Sequence, residues 1–322
     1  MQFKIENENH DLQSLLIKIQ DQSARSQDII ADTNQLQFQT VESSDSDKKH
    51  SKIIIEGSKG EPTKQIAVND VCFDQIASKA EIDVRTARRL KNTYYSKEFD
   101  SLINAIWQKE NSKKMIRTYD RSMDNLDHLG RAFLSDKFKT FDNVHLLEST
   151  LPQLMESNAN WQIVNSAITD KKLFVRFKSQ TQVGEGANVG DHMANGIVLS
   201  NSEVGLGSVT VGQIVWTLAC TNGMQTENKT RSSHITSSRQ NVDQWSILTD
   251  EAKDADNKAL SLKLRDIVGS FASRDSFDQI LDQMKQASSD IIEGEYEIAK
   301  LSESVGEVLK VPQKHRSLIL DG

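Results

Sequence analysis

The sequence predicts an α+β fold with a central, mostly antiparallel sheet, N-terminal helices and a C-terminal helical region. Three observations predict it. Between Trp161 and Gln240, short β-branched and aromatic runs alternate with glycine clusters, the pattern of strands joined by tight turns. On either side, apolar residues recur at three- and four-residue spacing, the period of a helix with one buried face. Only three prolines interrupt a chain of 322 residues, so long helices can run unbroken.

Taken in order, residues 1–68 read as a lead-in ending in a strand or hairpin. Leu12, Leu15, Leu16 and Ile19 keep helical spacing. Ser43 to Lys52 is polar and charged, as exposed loops are; Lys52 to Glu56 is β-branched, and Gly57 to Pro62 turns the chain. A core domain is expected over residues 69–242. It opens with helices between Asn69 and Lys109, in which Val71, Ile76, Phe99, Ile103 and Trp107 are apolar anchors and Asp100 or Ser101 is placed to cap the second helix. Ser135 and Asp136 suit a tight turn. Asn143 opens an amphipathic helix that Pro152 should bend or end, since proline lacks the N–H of the ladder.

Gln162 to Ile168 and Lys172 to Lys178 then read as a hairpin turning at Thr169 to Lys171. In the second strand Leu173, Val175 and Phe177 alternate with Phe174, Arg176 and Lys178. One face is therefore apolar and the other basic and aromatic. Gly184, Gly186 and Gly190 mark a loop, and Val211 to Cys220 fits a buried strand or a buried helix equally well. Residues 243–322 form the helical region, with Leu260, Leu262, Leu264, Ile267, Val268 and Phe271 as its buried side.

A content of 37% hydrophobic and 26% charged residues is that of a globular chain. No apolar run reaches the length of a membrane span and no basic-led apolar leader opens the sequence, so a cytoplasmic protein with no membrane partner is expected. Cys72 and Cys220 lie far apart without CxxC spacing, and read as reduced, buried thiols. The net charge of -7 argues against a surface that coats nucleic acid as a whole, while leaving room for a local basic groove.

Enzymatic readings fall short. GEGANVG, residues 184–190, lacks the GK[ST] ending of a phosphate loop and does not match GxGxxG. The histidines form no HExxH pair, and Cys220 with His234 is better read as a core cysteine and a surface histidine than as nucleophile and base. Asp120, Asp124 and Asp127 have helical spacing, more often a solvated face than a cation site. Glu203 stands alone between glycine-rich strands, where it can pair with a basic residue or brace a loop; nothing nearby completes a catalytic mechanism. No enzyme activity, cofactor or metal is expected.

The basic residues point elsewhere. Arg131, Lys137, Lys139, Arg176, Lys178, Arg231 and Arg239 are candidates to hold phosphates, with Trp161 and Phe174 as stacking surfaces. Cations that track a backbone, combined with aromatic platforms, are what sequence-tolerant single-strand binding needs. The opposing reading makes them ordinary surface charges and core aromatics. IASKAEIDVRTARRLKN, residues 76–92, also has the outline of a helix-turn-helix with Arg85, Arg88 and Arg89 on its second helix. The plainer reading is a helical pair with a solvated basic face.

RAFLSDKFKTFDN (131–143), NGIVLSNSEVGLGSV (195–209), LACTNGM (218–224) and TRSSHITSSRQ (230–240) resemble, in order and spacing, the signature blocks of a phage- and plasmid-like family known as a domain of unknown function. The resemblance spans roughly Val71 to Phe271 and includes the helical pair. That family has been suggested to be distantly related to the Rad-fifty-two-like annealing proteins, which are non-catalytic, need no nucleotide and assemble as rings or filaments. The resemblance thus implies single-stranded DNA binding and annealing in phage or plasmid recombination, by a homo-oligomer. The rival expectations are a duplex DNA regulator using Arg85, Arg88 and Arg89, an interaction or anti-defence protein without nucleic-acid affinity, and a metal-dependent enzyme using Glu203 and the central aspartates.

Overall fold

The computed structural model describes residues 12–42, 49–56, 63–124, 126–186, 192–217, 225–232, 248–289 and 295–308. Its α+β class is the one expected, but the strands form two sheets instead of one.

The first sheet has six strands: β1 (Ser26–Asp32), β2 (Leu36–Val41), β3 (His50–Ile55), β4 (Lys64–Val68), β5 (Lys113–Tyr119) and β6 (His128–Ser135), in the order β1-β5-β6-β4-β3-β2. All neighbours are antiparallel except β4 and β6. That parallel pair requires a crossover, and the connection carries α2 (Asp70–Lys79), α3 (Val84–Lys91) and α4 (Ser96–Glu110). Residues 26–68, expected as a lead-in, therefore supply four of the six strands. Their core is aromatic: Phe38 lies 6.2 Å from Phe73, 5.9 Å from Phe99 and 6.1 Å from Trp107, and Trp107 stacks on Phe133 at 5.4 Å.

Asp100 and Ser101 do not cap a helix; both lie inside α4, which starts at Ser96 without a side-chain cap. Asp100 instead accepts from the Thr40 backbone N–H and hydroxyl, both at 2.7 Å. One turn on, Asn104 accepts from Phe38 N at 2.7 Å and donates to Phe38 O at 2.9 Å. Two helix side chains thereby satisfy backbone groups of edge strand β2, which would otherwise offer a template for another strand.

The second sheet holds β7 (Trp161–Ile168), β8 (Leu173–Glu185), β9 (His192–Asn201), β10 (Val209–Thr217) and β11 (Gln225–Ser232), antiparallel in the order β11-β10-β9-β8-β7. The expected hairpin turn at Thr169 is present, with Thr169 N bonded to Lys172 O at 3.0 Å. Of the two readings left open for Val211 to Cys220, the strand is the one formed as far as Thr217; Leu218 to Cys220 lie outside the described residues. Gly184 falls within β8, not in a loop; a Cβ there would come within 2.5 Å of Leu281. One face of this sheet packs on α1 (Leu12–Arg25), α5 (Asn143–Glu156), α6 (Asp250–Phe271) and α7 (Arg274–Ser289). α5 runs through Pro152 to Glu156 and closes with Ser157 N on Gln153 O at 3.1 Å. The loss of one donor, late in the helix, does not end it. α8 (Glu295–Val308) follows.

Leu260, Leu264 and Val268 of α6 share one core with Leu173, Val175, Ile197, Leu199 and Val211. A polar network fixes the end of α6 as well. Gln182 Nε2 donates to Ala272 O at 2.8 Å, Asn195 Nδ2 to Phe271 O at 3.0 Å and to Gln182 Oε1 at 2.6 Å, and Ser276 Oγ to Gln213 Oε1 at 2.8 Å. These buried amides satisfy carbonyls that a helix C-terminus leaves without partners. α6 and α7 are thus part of the core of the second sheet.

Burial pushes the Cys72 thiol well above its ordinary pKa; Cys220 lies outside the described residues. Asp120, Asp124 and Asp127 sit on the connection between β5 and β6, where a single 3-10 turn, Ser122–Asp124, is the only helical element among the described residues, and Asp127 pairs with Lys52 at 2.7 Å. Among the described residues no group of metal-ligating side chains gathers, and no helix is long and apolar enough to cross a membrane.

Candidate nucleic-acid interface

Alternation along β8 sorts its side chains as expected. Leu173, Val175 and Phe177 are buried under the helices, while Phe174, Arg176 and Lys178 lie half-buried on the opposite face. The Arg176 guanidinium rests over the Phe174 ring at 4.8 Å, with Lys172 Nζ 6.0 Å from the same ring. Such stacking holds an arginine flat against the ring. Register extends this outward row across the sheet, since directly paired residues share a face. Phe174 faces Ser200 and Ser200 faces Thr210; Arg176 faces Val198 and Val198 faces Gly212. Lys178 faces Gly196.

Gly196 has a specific reason to lack a side chain. A Cβ there would lie 2.3 Å from Trp216 Nε1 and 2.7 Å from Ile214. The Trp216 indole lies across this glycine and donates to Phe177 O at 3.3 Å. The outward face therefore carries two half-buried aromatics, Phe174 and Trp216, beside two cations. Across β9 and β10 the same face is buried at Ala194, Val198 and Ile214, and the row is half-exposed along β8 and at Trp216.

The other candidates go elsewhere. Arg131 is a correction: it is buried, and its NH2 donates to Glu203 Oε2 at 2.8 Å. Lys139 is buried against Asp256 of α6. Trp161 sits on the helix side of the sheet, its Nε1 donating to Ser157 Oγ at 2.8 Å, beside Leu12, Leu154, Met155 and Phe177. None of the three is on the outward row. Lys137 belongs to the turn after β6 and not to that row. The backbone of β11 pairs Arg231 with Thr210 and Lys229 with Gly212; their side chains, and Arg239, lie outside the described residues. Arg88, one of three arginines of the duplex-binding alternative, is held by Asp74 through two bonds of 2.8 and 2.7 Å.

The NSEVGLGS block, residues 201–208, connects β9 to β10 and inserts into the first sheet. Glu203 is its centre. Its Oε2 accepts from Arg131 and, at 2.6 Å, from Gln22 Nε2; its Oε1 accepts from Asn143 N at 2.7 Å. The last contact places a carboxylate on the first N–H of α5, where the helix dipole favours negative charge. Arg117 lies beside it, 4% exposed, donating to Asp28 at 2.8 Å, to Asp142 at 2.7 Å and to Glu203 O at 3.0 Å. Burial opposes its charge, but Asp142, Asp28 and Glu203 outweigh that and raise its pKa. Val204 packs with Val71, Met115, Ala132, Leu134 and Phe138, and Gln75 Nε2 bonds Val204 O at 2.7 Å. Gly205 turns the chain at φ +75°, with Leu134 2.9 Å from where a Cβ would stand. Of the roles open to Glu203 in the sequence, it takes both structural ones: it pairs with an arginine and braces a loop. The CTNGM block lies outside the described residues.

No protein-family model, no curated protein and no solved structure matches the chain.

Proposed function

We propose that the protein is a non-catalytic binder of single-stranded DNA that uses the outward face of the five-stranded sheet. The observation that carries this reading is the Phe174–Arg176 stack with Lys178 and Trp216 on the same face. Bases stack on such rings whatever their identity, and neighbouring cations hold the phosphates, which gives affinity without sequence preference. The motif blocks described above extend the reading to annealing by a homo-oligomer; with Arg131 and Glu203 consumed in the junction, they mark the fold that presents the sheet and not the contact surface.

The test is a fluorescence-anisotropy titration of labelled oligo-dT at two or more salt concentrations. Arg176, Lys178 and Lys172 contacting one phosphate each correspond to a slope of log K against log[salt] of about −2, from about −0.7 per contact on single strands. Arg176→Glu combined with Lys178→Glu should abolish binding at moderate salt. Binding that ignores salt, or that survives this double reversal, would overturn the reading. Annealing is then scored by the rate at which two complementary oligonucleotides pair.

A further inference from the structure

We infer that the turn between α3 and α4 is a second, separate contact for single-stranded nucleic acid, with Tyr94 as the stacking ring and Arg85 and Arg89 as phosphate ligands. From Val84 to Lys97 the sequence VRTARRLKNTYYSK holds five cations and no carboxylate, in a chain of net charge -7. The run is bounded by Asp83 and Glu98, and Asp74 neutralises Arg88, so what remains is a short basic stretch on α3 and its following turn, to which charge complementarity draws a polyanion.

Two tyrosines stand in it without burial to explain them. Tyr94 is 80% exposed and Tyr95 48% exposed. Their ring centroids lie 4.2 Å apart and their hydroxyls 3.3 Å apart. Leaving that much aromatic surface in water has no packing reward, whereas a ring of this kind offers a platform to an unstacked base.

The turn is braced, so the rings start near one arrangement. Lys49 Nζ donates to Thr93 O and to Ser96 Oγ, each at 3.0 Å, and Lys49 N donates to Asn92 Oδ1 at 3.2 Å. Thr93 Oγ1 donates to Leu90 O at 2.9 Å. Beneath it Lys91 Nζ sits 4.6 Å over the Phe73 ring, and Arg88 is clamped to Asp74. These three cations are engaged in structure, while Arg85 and Arg89 are exposed on α3. Exposed base-stacking rings favour a single strand over a duplex, whose base faces are already covered.

This site is independent of the sheet face, and one experiment separates them. Full-length protein is titrated with labelled oligo-dT and with a duplex of equal length. The variants are Tyr94→Ala, Arg85→Glu with Arg89→Glu, and Phe174→Ala, with melting temperatures recorded for each. Tyr94→Ala should weaken oligo-dT binding on the order of tenfold, the loss of one stacking ring, with its melting temperature unmoved because the ring is exposed. The Arg85/Arg89 reversal should weaken it further and flatten the salt dependence. Loss confined to Phe174→Ala overturns this site and leaves the sheet reading standing. Loss in the arginine variant alone overturns it too, as diffuse charge attraction. Tighter binding to the duplex overturns the single-strand assignment, and wild-type protein that binds neither probe overturns both proposals.

Discussion

Arg117 and Arg131 in the junction and Arg176 on the outward sheet face are the same side chain under opposite conditions. The first two are nearly sealed from water, Arg117 bonded to Asp28, Asp142 and the Glu203 carbonyl and Arg131 to the Glu203 carboxylate and the Ser26 hydroxyl. Arg176 is half-buried on the outward face of β8 and lies over the Phe174 ring. Removing a buried charge from its partner costs far more than removing a half-exposed one, because the partner is left charged and without water. The two settings therefore make opposite predictions for stability and for ligand binding. The junction arginines should govern whether the two sheets hold together, and the outward arginine should govern what the sheet can hold.

The largest expected effect follows directly. Arg131→Ala strands the Glu203 carboxylate and should destabilise the fold by about 3–5 kcal/mol, read from urea unfolding. Arg176→Ala should cost less than about 1 kcal/mol. If the two variants unfold alike, the contrast between the settings is wrong. Corrected for the folded fraction, Arg131→Ala should bind oligo-dT as the wild type does.

What could be read from the sequence divides along the same line. The β7–β8 hairpin and the two faces of β8 were legible, because strict alternation is the signature of a strand with one dry and one wet side. The six-stranded sheet was largely missed. β5 (KKMIRTY) is buried over most of its length and carries Arg117 inside, so its burial does not alternate, and β6 is buried from Gly130 to Leu134. β2 (LQFQTV) does alternate, with Leu36 and Phe38 buried and Gln37 and Gln39 exposed, but its few residues lay in a stretch otherwise polar. Charge alone singles out candidate cations and does not reveal their partners. Glu203 lies 72 residues from Arg131 in sequence, and only the fold brings them within bonding distance.

The second prediction tests the junction without touching charge. Gly205→Ala places a methyl group at positive φ and against Leu134. Backbone strain of this kind costs on the order of 1–3 kcal/mol, and overpacking adds to it. A thermal melt should show the loss while oligo-dT affinity stays level. A stability-neutral Gly205→Ala that lost DNA affinity would mean that the block belongs to the binding surface after all.

The smallest effects come from two lysines that look alike in sequence. Lys139 is buried against Asp256, whose side chain is 47% exposed, so the ion pair itself is screened and contributes about 0–1 kcal/mol. Lys178 lies on the outward row opposite Gly196. Lys139→Ala should lower stability slightly through the lost pair and the packing of its stem, with no change in the salt dependence of oligo-dT binding. Lys178→Ala should leave the melt unchanged and reduce the magnitude of the salt slope by about 0.7, the share of one phosphate contact on a single strand. Equal slopes for the two variants would dissolve the distinction between a cation that serves the fold and one that serves the surface, because burial and facing would then no longer decide which lysine meets a phosphate.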